Sequence, residues 1–100
     1  MAIIESSIPS EYLADISKAV EILKEEGCTE IFIFGSIVNG KSNEISDIDI
    51  AVRGLPASKY FKIVGKLILE LNNSVDLVDL DETNNNFVKI LEKEGLIRVA

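Results

Sequence analysis

Histidine and tryptophan are absent from these 100 residues, cysteine occurs once and proline twice. Without histidine the chain cannot run imidazole acid–base catalysis, build a histidine-based triad or assemble most zinc sites. A single cysteine, Cys28, cannot form an intrachain disulfide, which suits a reducing compartment. It follows a predicted helix end and reads as a small buried apolar residue. Positive charge is scarce: 10 Lys and Arg stand against 17 Asp and Glu, a net charge of −7. That balance opposes direct binding to DNA or RNA, whose phosphates call for clustered cations. A basic partner, or a nucleotide delivered with its metal, fits it better. Long hydrophobic runs are lacking too. The most apolar stretch, Ile63 to Leu71, is broken by Lys66 and Glu70, so no membrane span is expected. Glu5 stands where a signal peptide would carry positive charge, and the chain is expected to be cytoplasmic.

What remains is a folding composition, 47% hydrophobic and 27% charged, sized for one domain over residues 1–100. There is no internal repeat, low-complexity tract or linker. Pro9 and Ser10 open a helical pattern with Tyr12, Leu13, Ile16, Val20 and Leu23 on one stripe, and Gly27 is placed to end it. Glu30 to Phe34 reads as a strand covered on both faces. Asp47 to Val52 reads as a second strand, with Ile48, Ile50 and Val52 on one face and the aspartates on the other. Gly54 and Pro56 break the chain. A helix is then expected over Ser58 to Asn72, with Tyr60, Phe61, Val64, Leu67, Ile68 and Leu71 on its apolar side. Val75 to Leu80 reads as a third strand in which Asp76 shares a face with Val78 and Leu80, while Asp79 lies opposite. The run Asn84-Asn85-Asn86 reads as the cap of a last helix carrying Phe87, Ile90 and Leu91, ended by Gly95, and Leu96 to Val99 as a short edge strand. The class is α/β (α+β): a small sheet with helices packed on one face and the site on the other.

The chemistry concentrates between Gly35 and Asp49. Gly35-Ser36 follows the apolar run Ile31 to Phe34, and a polar loop containing Gly40 leads to Asp47-Ile48-Asp49. Alternation in a strand points Asp47 and Asp49 the same way. Two carboxylates side by side raise each other's cost of ionising, and a hard divalent cation removes that cost. The Gly-Ser turn offers backbone N–H groups of the kind that receive phosphate. Metal ligands beside a phosphate cradle point to phosphoryl or nucleotidyl transfer. Arg53 and Lys59 read as solvated surface charge.

Together these residues resemble the minimal nucleotidyltransferases of the DNA polymerase beta-like superfamily. The pattern there is Gly-Ser, ten residues, then Asp-x-Asp; here it is Gly35-Ser36, Ile37 to Ser46, then Asp47-Ile48-Asp49. The order of helices and strands is similar over nearly the whole chain, and on that pattern Asp76 corresponds to a third carboxylate. The resemblance implies a mixed sheet of the polymerase beta-like nucleotidyltransferase fold, with ATP as substrate. Asp47 and Asp49 would hold two Mg²⁺ ions on the triphosphate, Asp76 would complete the metal that activates the acceptor hydroxyl, and Gly35 and Ser36 would contact the outer phosphates. Where many relatives carry arginine after the Gly-Ser pair, this chain has Ile37, Val38 and Asn39, with Lys41 as the nearest cation.

Stand-alone domains of this size resemble antitoxins that inactivate HEPN-domain toxins by adding AMP to a tyrosine hydroxyl. The implied partner is therefore a HEPN-type protein, or another copy of the chain. The alternative is a non-catalytic module that keeps the fold and neutralises or scaffolds a partner. Mean hydropathy is +0.24 despite the charge, so apolar surface remains available for another chain.

Overall fold

The computed structural model describes residues 10–35 and 47–100. Among these residues three helices, α1 (Ser10–Glu25), α2 (Tyr60–Glu70) and α3 (Asn85–Glu94), accompany four strands, β1 (Glu30–Phe34), β2 (Ile48–Arg53), β3 (Val75–Asp79) and β4 (Ile97–Arg98). A short 3₁₀ turn, Ala57–Lys59, leads into α2. The sheet order is β3-β2-β1-β4. β1 pairs antiparallel with β2 and β4, whereas β2 and β3 are parallel, as the α2 crossover between them requires. The sheet is thus mixed, as expected. The predicted role of Pro9 in starting the first helix lies outside the described residues.

The end of α1 shows how local sequence sets the chain's direction. Gly27 adopts φ +100°, where a side chain would strain the backbone. The Gly27 N–H donates to the Lys24 carbonyl (3.1 Å) and the Cys28 N–H to the Leu23 carbonyl (3.1 Å), a Schellman closure. The residue after the glycine in such a closure packs back on the helix, and Cys28 and Leu23 belong to the same buried core. Burial pushes the Cys28 thiol up to about 11, with the charges of Asp79 and Glu26 acting the same way. The thiol is therefore inert at neutral pH.

The main core lies between one sheet face and the first two helices. Ile31 and Ile33 of β1, Ile48, Ile50 and Val52 of β2, and Leu77 of β3 meet Tyr12, Ile16, Ala19 and Leu23 of α1 and Ile63 and Leu67 of α2. The third helix departs from expectation. It packs Val88 and Leu91 with Ala51 and Leu80, against Phe32, Phe34 and Val78, on the other sheet face. Helices therefore cover both faces, one fully and one in part. The strand alternation already required this, because Phe32, Phe34 and Val78 are apolar on the aspartate-bearing face.

Helix faces also need correction. On α2 the buried ridge is Ile63 and Leu67, continued by Leu71 just past its end, with Tyr60 and Val64 packed beside them. Phe61 and Ile68, expected in that stripe, point outward, as does Leu69; Phe61 and Leu69 are each 85% exposed. Apolar residues surround this helix, so periodicity alone could not choose its inner side. On α3 the core residues are Val88 and Leu91, while Phe87 and Ile90 are exposed. Its start is capped as expected: the Asn84 side chain accepts the Asn86 N–H at 2.7 Å.

A buried carboxylate ties these layers together. Asp15 of α1, 4% exposed, accepts the backbone N–H of Asn72 (3.1 Å), that of Asn73 (2.9 Å) and the Asn73 side-chain amide (2.8 Å). It fastens the turn between α2 and β3. The next residue, Ser74, accepts the Ile48 N–H at 2.8 Å, which begins the parallel pairing. Removing the carboxylate takes a charged acceptor from two backbone donors and one side-chain amide at a half-buried turn. Asp15→Ala should cost about 3 kcal/mol, read as a lower urea midpoint, and Asp15→Asn less, since one acceptor survives.

Candidate active site

The parallel register of β2 and β3 sets Asp49 directly beside Asp76. On its other side Asp49 pairs with Phe34, the last residue of β1. Asp47 is exposed and lies one residue before β2 begins. All three acids therefore lie at one end of the sheet, Asp49 and Asp76 on the face that α3 covers only in part. Gly35 follows β1 with φ +84°, and a Cβ built there would fall on the Asp49 carboxylate. Glycine is required twice over at this position, by its conformation and by the close approach of that carboxyl group. Ser36, the other expected phosphate contact, lies outside the described residues, as do residues 37–46 with Lys41.

The electrostatics follow from this crowding. Burial, then the charge of Asp76, then that of Asp47 push the Asp49 carboxyl up to about 6. Lysine and arginine, in their ion pairs among the described residues, serve other acids. Arg53 meets Asp81 (3.2 Å) and Glu30 (3.9 Å), Arg98 meets Glu30, Lys18 meets Glu70, and Lys59 and Lys62 meet Glu26. Arg53 and Lys59 thus act as the surface charges expected of them. Among the described residues, no three acids stand close enough to form a ready-made metal cage. The donor set nevertheless suits a hard cation: it is all oxygen, mutually repelling and without a described counter-charge. Magnesium bound through one or two carboxylates plus substrate phosphates needs no closed cage.

Asp79 and Asp81, the other two acids at the end of β3 and in the loop after it, are occupied elsewhere. Asp79 is buried, and its side chain accepts the Asp81 N–H at 3.0 Å. Asp81 accepts the Gly54 N–H at 2.8 Å and one arm of Arg53. Asp79 braces the loop after β3, and Asp81 ties that loop to the end of β2. Tyr60 is the neighbour that its place in an apolar stripe concealed. Its hydroxyl donates to the Leu77 carbonyl, and burial followed by the charges of Asp76 and Asp79 raises its pKa.

The Asp49 shift carries a pH signature. Its native pKa lies above the unfolded value, so the native state holds more protons between about pH 4 and 6. Stability of the metal-free protein should therefore fall as pH rises through that window. Asp49→Asn should remove the fall and melt higher than wild type at pH 7 to 8, with the two converging near pH 4. Thermal scans across pH in chelator check this; equal slopes for both proteins would exclude the crowded-carboxylate geometry.

The chain is similar to known proteins over most of its length. The family profile described as "Polymerase beta, Nucleotidyltransferase" matches residues 17–97. The Methanocaldococcus jannaschii protein named "Putative protein adenylyltransferase MJ1379" is 34% identical over 96 residues, covering 90% of this chain and 96% of that protein. Among solved structures, a toxin–antitoxin crystal structure with AMP-PNP superposes with a TM-score of 0.70 at 26% identity, over 90% of this chain and 72% of the other. A variant of the toxin–antitoxin MntA-HpeT gives 0.69 at 25% identity, over 82% and 69%. A Shewanella oneidensis structure, a tri-AMPylated HEPN toxin in complex with an MNT antitoxin, shares the fold with a TM-score of 0.64 at 24% identity, over 85% and 68%. With most of its length inside the family profile and its acids gathered at one end of the sheet, the chain belongs to the polymerase beta nucleotidyltransferase family.

Proposed function

We propose that this nucleotidyltransferase transfers AMP from Mg²⁺-bound ATP to a tyrosine hydroxyl of a HEPN-type protein, as the antitoxin of a toxin–antitoxin pair. The observation that carries the reading is the parallel register that sets Asp49 beside Asp76, with Asp47 at the same strand end. In this reading Asp47 and Asp49 hold cations against the triphosphate, and Gly35 with Ser36 receives its outer phosphates. Asp76, on the edge strand, faces the acceptor. Bound there, divalent metal supplies the positive charge that offsets the triphosphate and eases deprotonation of the acceptor. The acceptor oxygen loses its proton and bonds to the α-phosphorus; the bond from that phosphorus to pyrophosphate breaks, and pyrophosphate leaves.

Three observations support AMP and a protein acceptor. A relative at 34% identity is named for protein adenylyl transfer. A structural relative at 26% identity was solved with AMP-PNP. A net charge of −7 suits a basic protein surface, and exposed Phe61, Leu69 and Ile90 give it something apolar to meet. Among the described residues no helix is long and apolar enough to cross a membrane. The inert Cys28 suits the reducing cytoplasm in which we place the chain.

Two measurements test the reading together. ATP with Mg²⁺ should raise the melting temperature by several degrees, since a ligand at 100 times its Kd stabilises by about 2.7 kcal/mol. The same ATP in chelator should do much less. The intact mass of a co-encoded HEPN-type partner should rise by whole AMP units with the wild type and stay unchanged with the Asp47→Asn/Asp49→Asn double variant. A partner silenced by that double variant without any mass increase would establish inhibition by binding alone.

A further inference from the structure

Outside the cluster of acids, a cleft of about 480 Å³ lies along the edge of β3 that faces away from β2. Its aromatic walls are Tyr60 and Phe61 on α2 and Phe87 on α3; Val78, Asp79 and Glu82 form its floor and rim. We infer that this cleft seats the acceptor polypeptide, as an extended segment with an aromatic or aliphatic side chain flanked by basic residues. The inference rests on the nucleotidyl-transfer reading above and adds the route by which the acceptor reaches the acids.

Continuity with the site is the first argument. Val78 lies two residues beyond Asp76 on the same strand face, about 7 Å along the strand. A segment in the cleft therefore runs directly toward Asp76, from the side away from Asp49.

Backbone chemistry is the second. Ser74 accepts from Ile48 and Leu80 donates to Val52, so even-numbered residues of this strand bond to β2 and odd-numbered ones face the open edge. Both outward carbonyls beside the cleft are already engaged. That of Leu77 takes the Tyr60 hydroxyl, and that of Asp79 takes the Thr83 hydroxyl at 2.6 Å and the Glu82 N–H at 3.2 Å. The alternation turns the Leu77 and Asp79 N–H groups to the same side. This edge offers donors and withholds acceptors, which suits the carbonyls of an extended chain more than another strand pairing along its whole length.

Charge is the third. Asp79 and Glu82 line the cleft, Asp76 is two residues from Val78 on the same strand, and among the described residues no lysine or arginine lines it. The cations that flank Tyr60 and Phe61 in sequence, Lys59 and Lys62, pair with Glu26 just past the end of α1. Acidic walls with exposed aromatic faces select lysine or arginine beside an apolar side chain, through charge complementarity and cation–π contact. They disfavour a ligand that carries phosphates.

The test is a titration of the full chain, followed by amide NMR, with two synthetic peptides. Each has one tyrosine next to a leucine, flanked by lysines in one peptide and by glutamates in the other. The lysine peptide should shift the amides of Tyr60, Phe61, Leu77, Val78 and Phe87. The glutamate peptide should not, and Phe61→Ala/Phe87→Ala should weaken binding about tenfold. Both substituted side chains are exposed, so folding is spared, and the thermal shift with Mg²⁺–ATP should match that of wild type. Four results overturn the inference: no binding of the lysine peptide, equal binding of both peptides, the same shifts on raising protein concentration alone, or the same shifts with Mg²⁺–ATP alone. The last two would assign the cleft to a second copy of the chain or to the nucleotide. Loss of the thermal shift in the wild type would instead remove the nucleotidyl-transfer reading, and the peptide titration would still report on the cleft.

Discussion

Everything at the site depends on two carboxylates being held beside each other against their own repulsion. Parallel pairing of β2 and β3 sets Asp49 next to Asp76, and Gly35 closes over the first so tightly that no side chain could replace its hydrogen. Left to themselves, such groups would separate or stay protonated, and the carboxyl of Asp49 is indeed pushed up to about 6. The remainder of the fold opposes that relaxation. Ile48 and Ile50, on either side of Asp49 in sequence, are fully buried against α1 and α2, so the strand cannot rotate to release the charge. Apolar burial on one face thus maintains electrostatic strain on the other.

The register that produces the pair is itself secured at a distance. Parallel strands need a long crossover, and its far end is a polar turn with nothing apolar to anchor it. Asp15 provides the anchor from α1, gathering the Asn72 and Asn73 N–H groups just before β3 starts. At the other end of β3, Asp81 reaches back to the Gly54 N–H and to Arg53 at the end of β2. Acids therefore do three different things in this small domain. Asp15 and Asp81 are matched by donors and hold the frame, Asp79 braces a loop, and Asp47, Asp49 and Asp76 have no described ion-pair partner.

Much of this was legible in the order of residues, for identifiable reasons. Strand alternation has a period of two with no freedom, so the faces of Asp49, Asp76 and Asp79 followed once the strands were placed. The glycine and asparagine signals at Gly27 and Asn84 act through their own backbone, and both ended up where local chemistry put them. What depended on the tertiary environment was not legible. The helix from Tyr60 to Glu70 carries apolar residues nearly all round, and only the sheet decides that Ile63 and Leu67 go in while Phe61 and Leu69 stay out. Val88 is less conspicuous in the sequence than bulkier Phe87 and Ile90, yet it is the residue that places α3 on the second face. Asp15 gave no signal, because a lone acid on a helix normally faces water and its partners are 57 and 58 residues away.

The side that α2 leaves exposed also bears on how the protein works. A helix that buried Phe61, Ile68 and Leu69 would have enlarged the core and sealed the β3 edge. Instead one residue of that helix, Tyr60, does two jobs: its ring packs on the core and its hydroxyl ties off the Leu77 carbonyl. That single bond blunts the edge enough to discourage indiscriminate strand pairing while leaving the aromatic wall open. Placed between the acids and the exposed apolar residues, Tyr60 senses the charge of Asp76 and borders the cleft at once. The cost of leaving large apolar side chains in water is sustained on the side of the sheet nearest the third acid. Under the function proposed above, that edge is where the acceptor of the nucleotide arrives.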